Sequence, residues 1–414
     1  MLNIWLLERG DSRAFDSAIS ALSKELVDSG KVKGPIKWHT FSPLRIWQEC
    51  IALSKHPESE KLYPDIIEYP LAWHDSLAFI GLLAKKQDLN RVREEQWLAI
   101  KDSAYKDSFC VSFSDSLLSF PWLVGFLSMF YRKDMLRIIG KTHEDLTQYS
   151  SWKQTLQSIP TTMTAFEMDF TFFDAMWWIW NFGGDFIDPI NYMPAFLQAE
   201  ALQGITAMLE TAVNIKTNAV TISQFSSLLN PRNTLGGFPD SAFSKLSFDM
   251  PPAFMKGNPK VTVALAPYVK NHVTATKEYA LGISNRCIDT NIDEAISFIS
   301  AIARDEASWL KISMSSGFLP YKLSLWDEYL EHISDPLARE VYFSARTSAR
   351  RMGSMPFMAP FNMIFEDSLE DCLLTAKEHG KVDPLRVSTA LAKIASEYRL
   401  MTALHQDSIA AGMK

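Results

Sequence analysis

Between Phe172 and Asp188 the chain reads FFDAMWWIWNFGGDFID, an aromatic run that stops at a Gly-Gly pair and resumes as Asp-Phe-Ile-Asp. Planar rings gathered at the end of a helix can offer stacking faces to whatever occupies a neighbouring cleft, and they can equally fill a core. The glycines mark the end: a helix is expected to stop at Gly183, with the chain turning through positive φ at Gly183 or Gly184. At 100° per residue Trp177, Trp178 and Trp180 cannot share one face, so at least one ring looks away from the others. A second group of chemistry-bearing residues follows the first apolar run, where Glu8 could accept hydrogen bonds from hydroxyls and Arg9 could donate to a hydroxyl or a phosphate, or pair with a surface acid. No GxSxG, HExxH, GxxxxGK[ST] or GxGxxG motif occurs, which removes the common signatures of serine hydrolases, zinc proteases and nucleotide-binding loops.

The elements that must position these groups belong to a chain of 414 residues, long enough for two compact lobes. Its composition, 47% hydrophobic and 21% charged, is that of an ordered globular protein. A formal charge of −7 argues against a nucleic-acid partner, because affinity for phosphate backbones comes from clustered Lys and Arg. The one basic cluster, Arg346 to Arg351, reads as a solvated helix face. The longest uncharged run, Ser116 to Tyr131, contains Pro121 and is too short to span a membrane. Cys50, Cys110, Cys287 and Cys372 are widely spaced with no CxxC, so no metal site is expected, and no cofactor is implied. The opening MLNIWLLERGD lacks a basic region and a cleavage site, so the expectation is either a mature form acting at the periplasm or cell surface, or a protein that stays in the cytosol.

Strands and helices alternate from the start. Leu2 to Leu7, Ile36 to Phe41 and Asp65 to Tyr69 read as strands, and Phe15, Ile19, Leu22 and Leu26 form the apolar face of an intervening helix. Ser42-Pro43 opens another helix, carrying Ile46, Trp47 and Ile51. Such alternation implies a parallel sheet whose ligand groups collect beyond the strand C-terminal ends, here Glu8, Arg9, Phe41, Tyr69 and Trp73. Ser119 to Tyr131 reads as one strand opening a new unit. Val261 to Ala266 and Tyr279 to Ser284 are later strands, and a helix bearing Ile292, Ile296, Ile299 and Ala303 has its cap within Asp289 to Asn291.

In order along nearly the whole chain, PDIIEYPLAWHDSLAFIGLLAKKQDL, PWLVGFLSMFYRKDMLRIIG, DAMWWIWNFGGDFID, PKVTVALAP, EYALGIS and the stretch from DEAISFISAIARDEASW to GFLP resemble consecutive segments of the extracellular solute-binding proteins of ABC importers, in the sugar-binding group that includes maltose-binding protein. SAFSKLSFDMPPAF is a looser counterpart of a further family segment, so the binding groups near Ser241 to Phe254 stay open. The resemblance implies an α/β, two-lobed periplasmic-binding-protein-like fold with a ligand cleft between the lobes, closing by hinge motion. The first lobe would comprise residues 1–115 and 276–320 and the second 116–275 and 321–414, with crossings near Asp115 to Phe120, Thr274 to Lys277 and Phe318 to Lys322. It also implies a monomer that binds a sugar or related polyol and delivers it to membrane permease subunits; a cytosolic sensor with the same fold is the alternative.

A sugar presents hydroxyls at its edge and a weakly apolar C–H face, so its site needs flat aromatics and polar rim groups. Micromolar affinity needs about −8 kcal/mol, within reach of two or three stacked rings and several hydrogen bonds. Phe173 and Trp177 are the preferred platforms in the second lobe, because the family places a stacking aromatic in the helix before Gly-Gly, and Trp178 is the alternative. Trp122 sits at a crossing and could serve the hinge or the ligand. Phe357 and Phe361 match a late segment where the family adds an aromatic. His39 and His74 are expected to be structural, and Asp185 a turn or cap residue. The acids present would also suit a glycosidase carboxylate pair, but the ordered resemblance is to binding proteins and no catalysis is expected.

Overall fold

The computed structural model describes residues 1–9, 12–55, 63–105, 116–188, 193–214, 217–219, 242–251, 254, 257–355 and 357–410. Its strands, in chain order, are β1 (Leu2–Leu7), β2 (Ile36–Phe41), β3 (Ile66–Pro70), β4 (Ser119–Phe126), β5 (Ser128–Arg132) and β6 (Thr164–Met168). They continue with β7 (Thr217–Ala219), β8 (Ala242–Ser247), β9 (Val261–Leu265), β10 (Thr274–Ile283), β11 (Leu319–Pro320) and β12 (Ala349–Arg350). The chain divides into two compact units. The first comprises Met1–Gly125, Lys277–His332 and Gly353–Ala359; the second comprises Phe126–Thr276, Ile333–Met352 and Pro360–Lys414. The passage at 276/277 falls inside β10, an unbroken strand, and the expected crossing at Asp115 begins outside the described residues.

The first unit is built on strands in the order β11-β4-β10-β3-β1-β2. β1 lies parallel to β2 (Leu2 opposite Ile36) and to β3 (Ile4 opposite Ile66), while β10 runs antiparallel to β3. Every residue of β1 and β3 is buried, as a near-continuous apolar run in a parallel sheet requires, whereas the edge strand β2 is only half-buried. The Ser12–Asp28 helix buries Phe15, Ile19, Leu22 and Leu26, and the Ile292–Arg304 helix, capped at Asn291, buries Ile292, Ile296, Ile299 and Ala303. In the Pro43–Lys55 helix Cys50 and Leu53 join Ile46 and Trp47 in the core, and Ile51 is half-buried.

The second unit holds a five-stranded sheet in the order β7-β6-β8-β5-β9, with β6 parallel to β7 and β8 and β5 antiparallel to β8 and β9. The single strand expected from Ser119 to Tyr131 is two: it breaks at Leu127, whose N–H donates to the Ala275 carbonyl (2.9 Å). Both pieces are buried throughout, so the hydrophobic run shows no mark of the break. The Phe172–Asn181 helix starts from a reciprocal cap between Thr171 and Asp174 and ends as expected at Gly183, φ +89°. Gly184 N–H donates to Ile179 O and Gly183 N–H to Trp180 O, both at 3.0 Å, which is the Schellman closure of a helix end. Arg350, read from sequence as part of a solvated helix face, instead lies in β12 and packs over the Trp180 ring at 4.7 Å. It also pairs with Asp185, which accepts from Trp180 Nε1 (3.1 Å) and Phe186 N (2.8 Å).

Candidate functional site

In the first unit β1, β2 and β3 run the same way, so their C-terminal ends bring the residues around Leu7, Phe41 and Pro70 to one edge of the sheet. Glu8 is exposed there, its N–H donating to Phe41 O (3.0 Å), and partial desolvation pushes its carboxyl above the ordinary range. Phe41 is half-buried with its ring 5.1 Å from that of Trp5. Arg9 turns inward. Its guanidinium pairs with Glu68 and is covered by the rings of Tyr279 (4.2 Å), Phe318 (5.1 Å) and Phe15 (5.5 Å).

Glu68 is the residue that sequence reasoning missed. It is wholly buried on β3 and accepts from Leu7 N (2.8 Å), from Trp122 Nε1 (3.1 Å) and from Arg9. Burial raises its pKa against the opposing pull of Arg9 and these donors. The signal was an acid inside a run assigned to a buried strand, which demands a partner. Trp122, expected at a hinge or a ligand, is buried and spends its N–H on Glu68, while its carbonyl accepts from Trp309 Nε1 (2.8 Å).

Tyr69 is buried, its hydroxyl 2.6 Å from Ser119 Oγ and 2.9 Å from His74 Nδ1. Desolvation lowers the His74 pKa to about 4, so the ring is neutral at pH 7, in keeping with a structural histidine. Trp73 is buried edge-on to Trp47 at 6.0 Å. Phe357 is half-buried in the short return of the chain to this unit. That return is fixed by Asp75 N donating to Ser354 Oγ (2.8 Å) and Ser76 Oγ donating to Met355 O (2.9 Å). Phe361 lies in the core of the second unit, 5.5 Å from the Phe186 ring and 5.1 Å from that of Tyr398.

In the second unit the parallel pair β6 and β8 sets its C-terminal ends side by side. Phe173, 7% exposed, follows β6 and meets Phe248 beyond β8, ring edge to face at 6.2 Å. Phe170, before them, holds φ +58°, a left-handed conformation that costs a bulky residue energy. Lys245 on β8 is in register with Glu167 on β6. Desolvation pulls its ammonium down, but Asp169, Asp249, Glu167 and Asp174 outweigh that and raise its pKa. Nothing in the loose segment around Lys245 marked this cluster in the sequence, because its acids are scattered over eighty residues of chain.

Trp177 and Trp178, expected as platforms, are 1% and 0% exposed. Their rings lie 4.9 Å apart, and Trp178 also meets Tyr149 and Trp152 at 5.7 and 6.3 Å. The structure therefore places both in the aromatic core of the unit: a helix buried on all sides leaves no outward face for either ring. Among the described residues no group of His, Cys, Asp or Glu could hold a metal ion, and no helix is long and apolar enough to cross a membrane.

Neither a protein-family model nor a curated protein sequence matches the chain. Solved structures do. The ABC substrate-binding protein of Listeria monocytogenes in complex with cycloalternan superposes with TM-score 0.74 over 96% of this chain and 98% of its own, at 10% identity. The chain has the fold of these ABC substrate-binding proteins. Maltose-bound MalE3 of T. maritima gives TM-score 0.74 over 97% and 99% at 14% identity. An ABC transporter solute-binding protein of Thermotoga lettingae bound with α-D-tagatose gives 0.68 over 96% and 98%, also at 14%. At such identities the likeness is one of fold, and it spans both units.

Proposed function

We propose that the chain is the solute-binding component of an ABC importer, capturing a carbohydrate-like small molecule by hinge closure and delivering it to membrane permease subunits. The observation that carries this reading is near-complete coverage, at TM-scores of 0.68 to 0.74, by structures solved with cycloalternan, maltose and tagatose. The strand ends supply what a sugar needs. Phe173 and Phe248 provide an aromatic pair after β6 and β8, while Glu8 and Phe41 provide an exposed carboxylate and a half-buried ring after β1 and β2. Arg9, Tyr69, Trp73 and Trp122 stand behind that edge as support, with Phe357 on the returning segment. The protein acts as a monomer at the periplasm or cell surface, as a binding protein and not as a catalyst; the Listeria monocytogenes and Thermotoga lettingae structures above are likewise described as binding proteins.

Calorimetric titration with mono- and oligosaccharides, polyols, glycerol phosphates and peptides tests the proposal. Saturable binding of a carbohydrate at micromolar or tighter affinity is expected. Binding confined to peptides or another non-carbohydrate class would overturn it.

A further inference from the structure

Arg350 joins two parts of the second unit. Its backbone lies in β12, parallel to β10 with Arg350 opposite Ala275, and its carbonyl accepts from Thr276 Oγ1 (3.3 Å). Its side chain reaches the last turn of the Phe172–Asn181 helix, where it pairs with Asp185 and lies over the Trp180 ring at 4.7 Å. We infer that Arg350 is a positioning residue: it couples the strands by which the chain leaves the second unit to the helix that carries Phe173, so that carbohydrate affinity depends on a residue outside the sugar contacts. This rests on the carbohydrate reading above.

The chain passes between the units at 125/126, 276/277 and 352/353, among other places. On the second-unit side the residues next to these three passages are tied to one another. Leu127 N–H donates to Ala275 O (2.9 Å), Thr274 N–H donates to Ser348 O (2.9 Å), and the Thr274 and Ser348 hydroxyls lie 2.9 Å apart. Two residues beyond Arg350 the chain leaves the unit, and residues 351–355 belong to no helix or strand. Hinges are built from such short stretches at the ends of elements, which absorb changes in φ and ψ. Rotation in 351–355 acts first on β12, and through β12 on Arg350.

The helix on the other side of the link is a short rod. Its ten residues span about 15 Å, with Phe173 in the first turn and Trp180 in the last. The last turn is fastened twice. Asp185 accepts from Trp180 Nε1 (3.1 Å), from Phe186 N (2.8 Å) and from Arg350. Asn181 Nδ2 donates to Pro267 O (2.5 Å) and Asn181 Oδ1 accepts from Val269 N (3.0 Å), both in the stretch that leads from β9 into β10. The helix is therefore held to both strands, β12 through Arg350 and β10 through Asn181, and a shift of either reaches Phe173 along the rod. The Arg350 and Asp185 side chains are 39% and 27% exposed, and ion pairs so open to water add little to global stability. Their effect is local orientation: a planar guanidinium held between a carboxylate and an indole face.

Two measurements on the full chain test the inference. Hydrogen exchange reads the coupling without a ligand: Arg350→Met is expected to speed exchange at least five-fold both at 349–352 and at 182–186, with β1 and β3 unchanged. Faster exchange confined to 349–352 overturns it. Calorimetric titration with maltose and α-D-tagatose reads the consequence for binding. Arg350→Met and Asp185→Asn, each with unchanged circular dichroism, are expected to weaken the binding of whichever sugar the parent takes by at least five-fold, with Arg350→Lys in between. The double variant is expected to be no weaker than the worse single one, because both remove the same link. Additive losses would make Arg350 a direct sugar contact, and affinities within two-fold of the parent would make the ion pair a surface ornament; either overturns the inference and leaves the carbohydrate reading standing. A parent that binds no carbohydrate overturns that reading instead, and the exchange result then decides the coupling by itself.

Discussion

Glu68 joins three strands through one carboxylate: its own β3, the end of β1 through Leu7 N and Arg9, and β4 through Trp122. Removing one member of a buried ion pair strands the other charge in a low dielectric, which costs far more than the pair contributes. Glu68→Ala is therefore expected to destabilise the protein by about 3–5 kcal/mol, read as a lower urea midpoint, with Glu68→Gln milder. Equal stability of Glu68→Ala and the parent would show that Arg9 finds another partner. His74 supplies a pH dependence. Its folded pKa of about 4 lies below the ordinary 6.5, so the buried ring stabilises the fold above pH 6.5 and that stability is lost as pH falls through the window toward 4. At about 1.4 kcal/mol per pH unit the loss reaches roughly 3 kcal/mol. Denaturation between pH 7 and 4 should show this slope, and His74→Asn should flatten it. Residue types alone placed His74 as structural and Glu8 at an exposed strand end. They did not reveal that Arg9 faces inward, because its partner is 59 positions away and only the pairing of β1 with β3 brings them together.

At the scale of elements, the Gly183-Gly184 pair was legible as a helix stop, but the two glycines have different duties. Gly183 carries the positive φ; Gly184 allows contact, since a Cβ there would fall 2.6 Å from Ala201 N. Gly204 reciprocates from the Ala199–Asn214 helix, where a Cβ would fall 2.6 Å from Trp178 O. The two helices meet backbone to backbone at these positions. Gly204→Ala is expected to cost about 1–3 kcal/mol by forcing the helices apart, measured by thermal denaturation; an unchanged midpoint would mean the crossing relaxes freely. This packing goes with the burial of Trp177 and Trp178. A helix so closely seated is buried on every side, and a run of rings before glycines looks the same in sequence whether it lines a site or fills a core. The division of Ser119 to Arg132 into β4 and β5 was hidden for the same reason, since both strands are apolar throughout.

For the whole molecule, the ordered segment matches carried the fold, and solved structures that cover the chain from end to end share it. The segment Gly353–Ala359, which returns to the first unit, was not legible because the groups that fix it, Asp75 N and Ser76 Oγ, lie 279 positions earlier in the chain. Trp177 belongs to this scale as well: truncation to Ala is now expected to lower stability by about 3–5 kcal/mol, the cost of emptying a core site of that size, with carbohydrate affinity in the folded fraction changing less than for Phe173→Ala. The reverse order, an intact fold and lost affinity for Trp177→Ala, would restore it as a stacking platform. The central claim is that a carbohydrate is held at the strand ends of the sheets, and a crystal structure of the protein grown with its tightest-binding sugar tests it most directly. Electron density for the sugar is expected against the Phe173 and Phe248 rings; a sugar bound elsewhere, with those rings untouched, would contradict the claim.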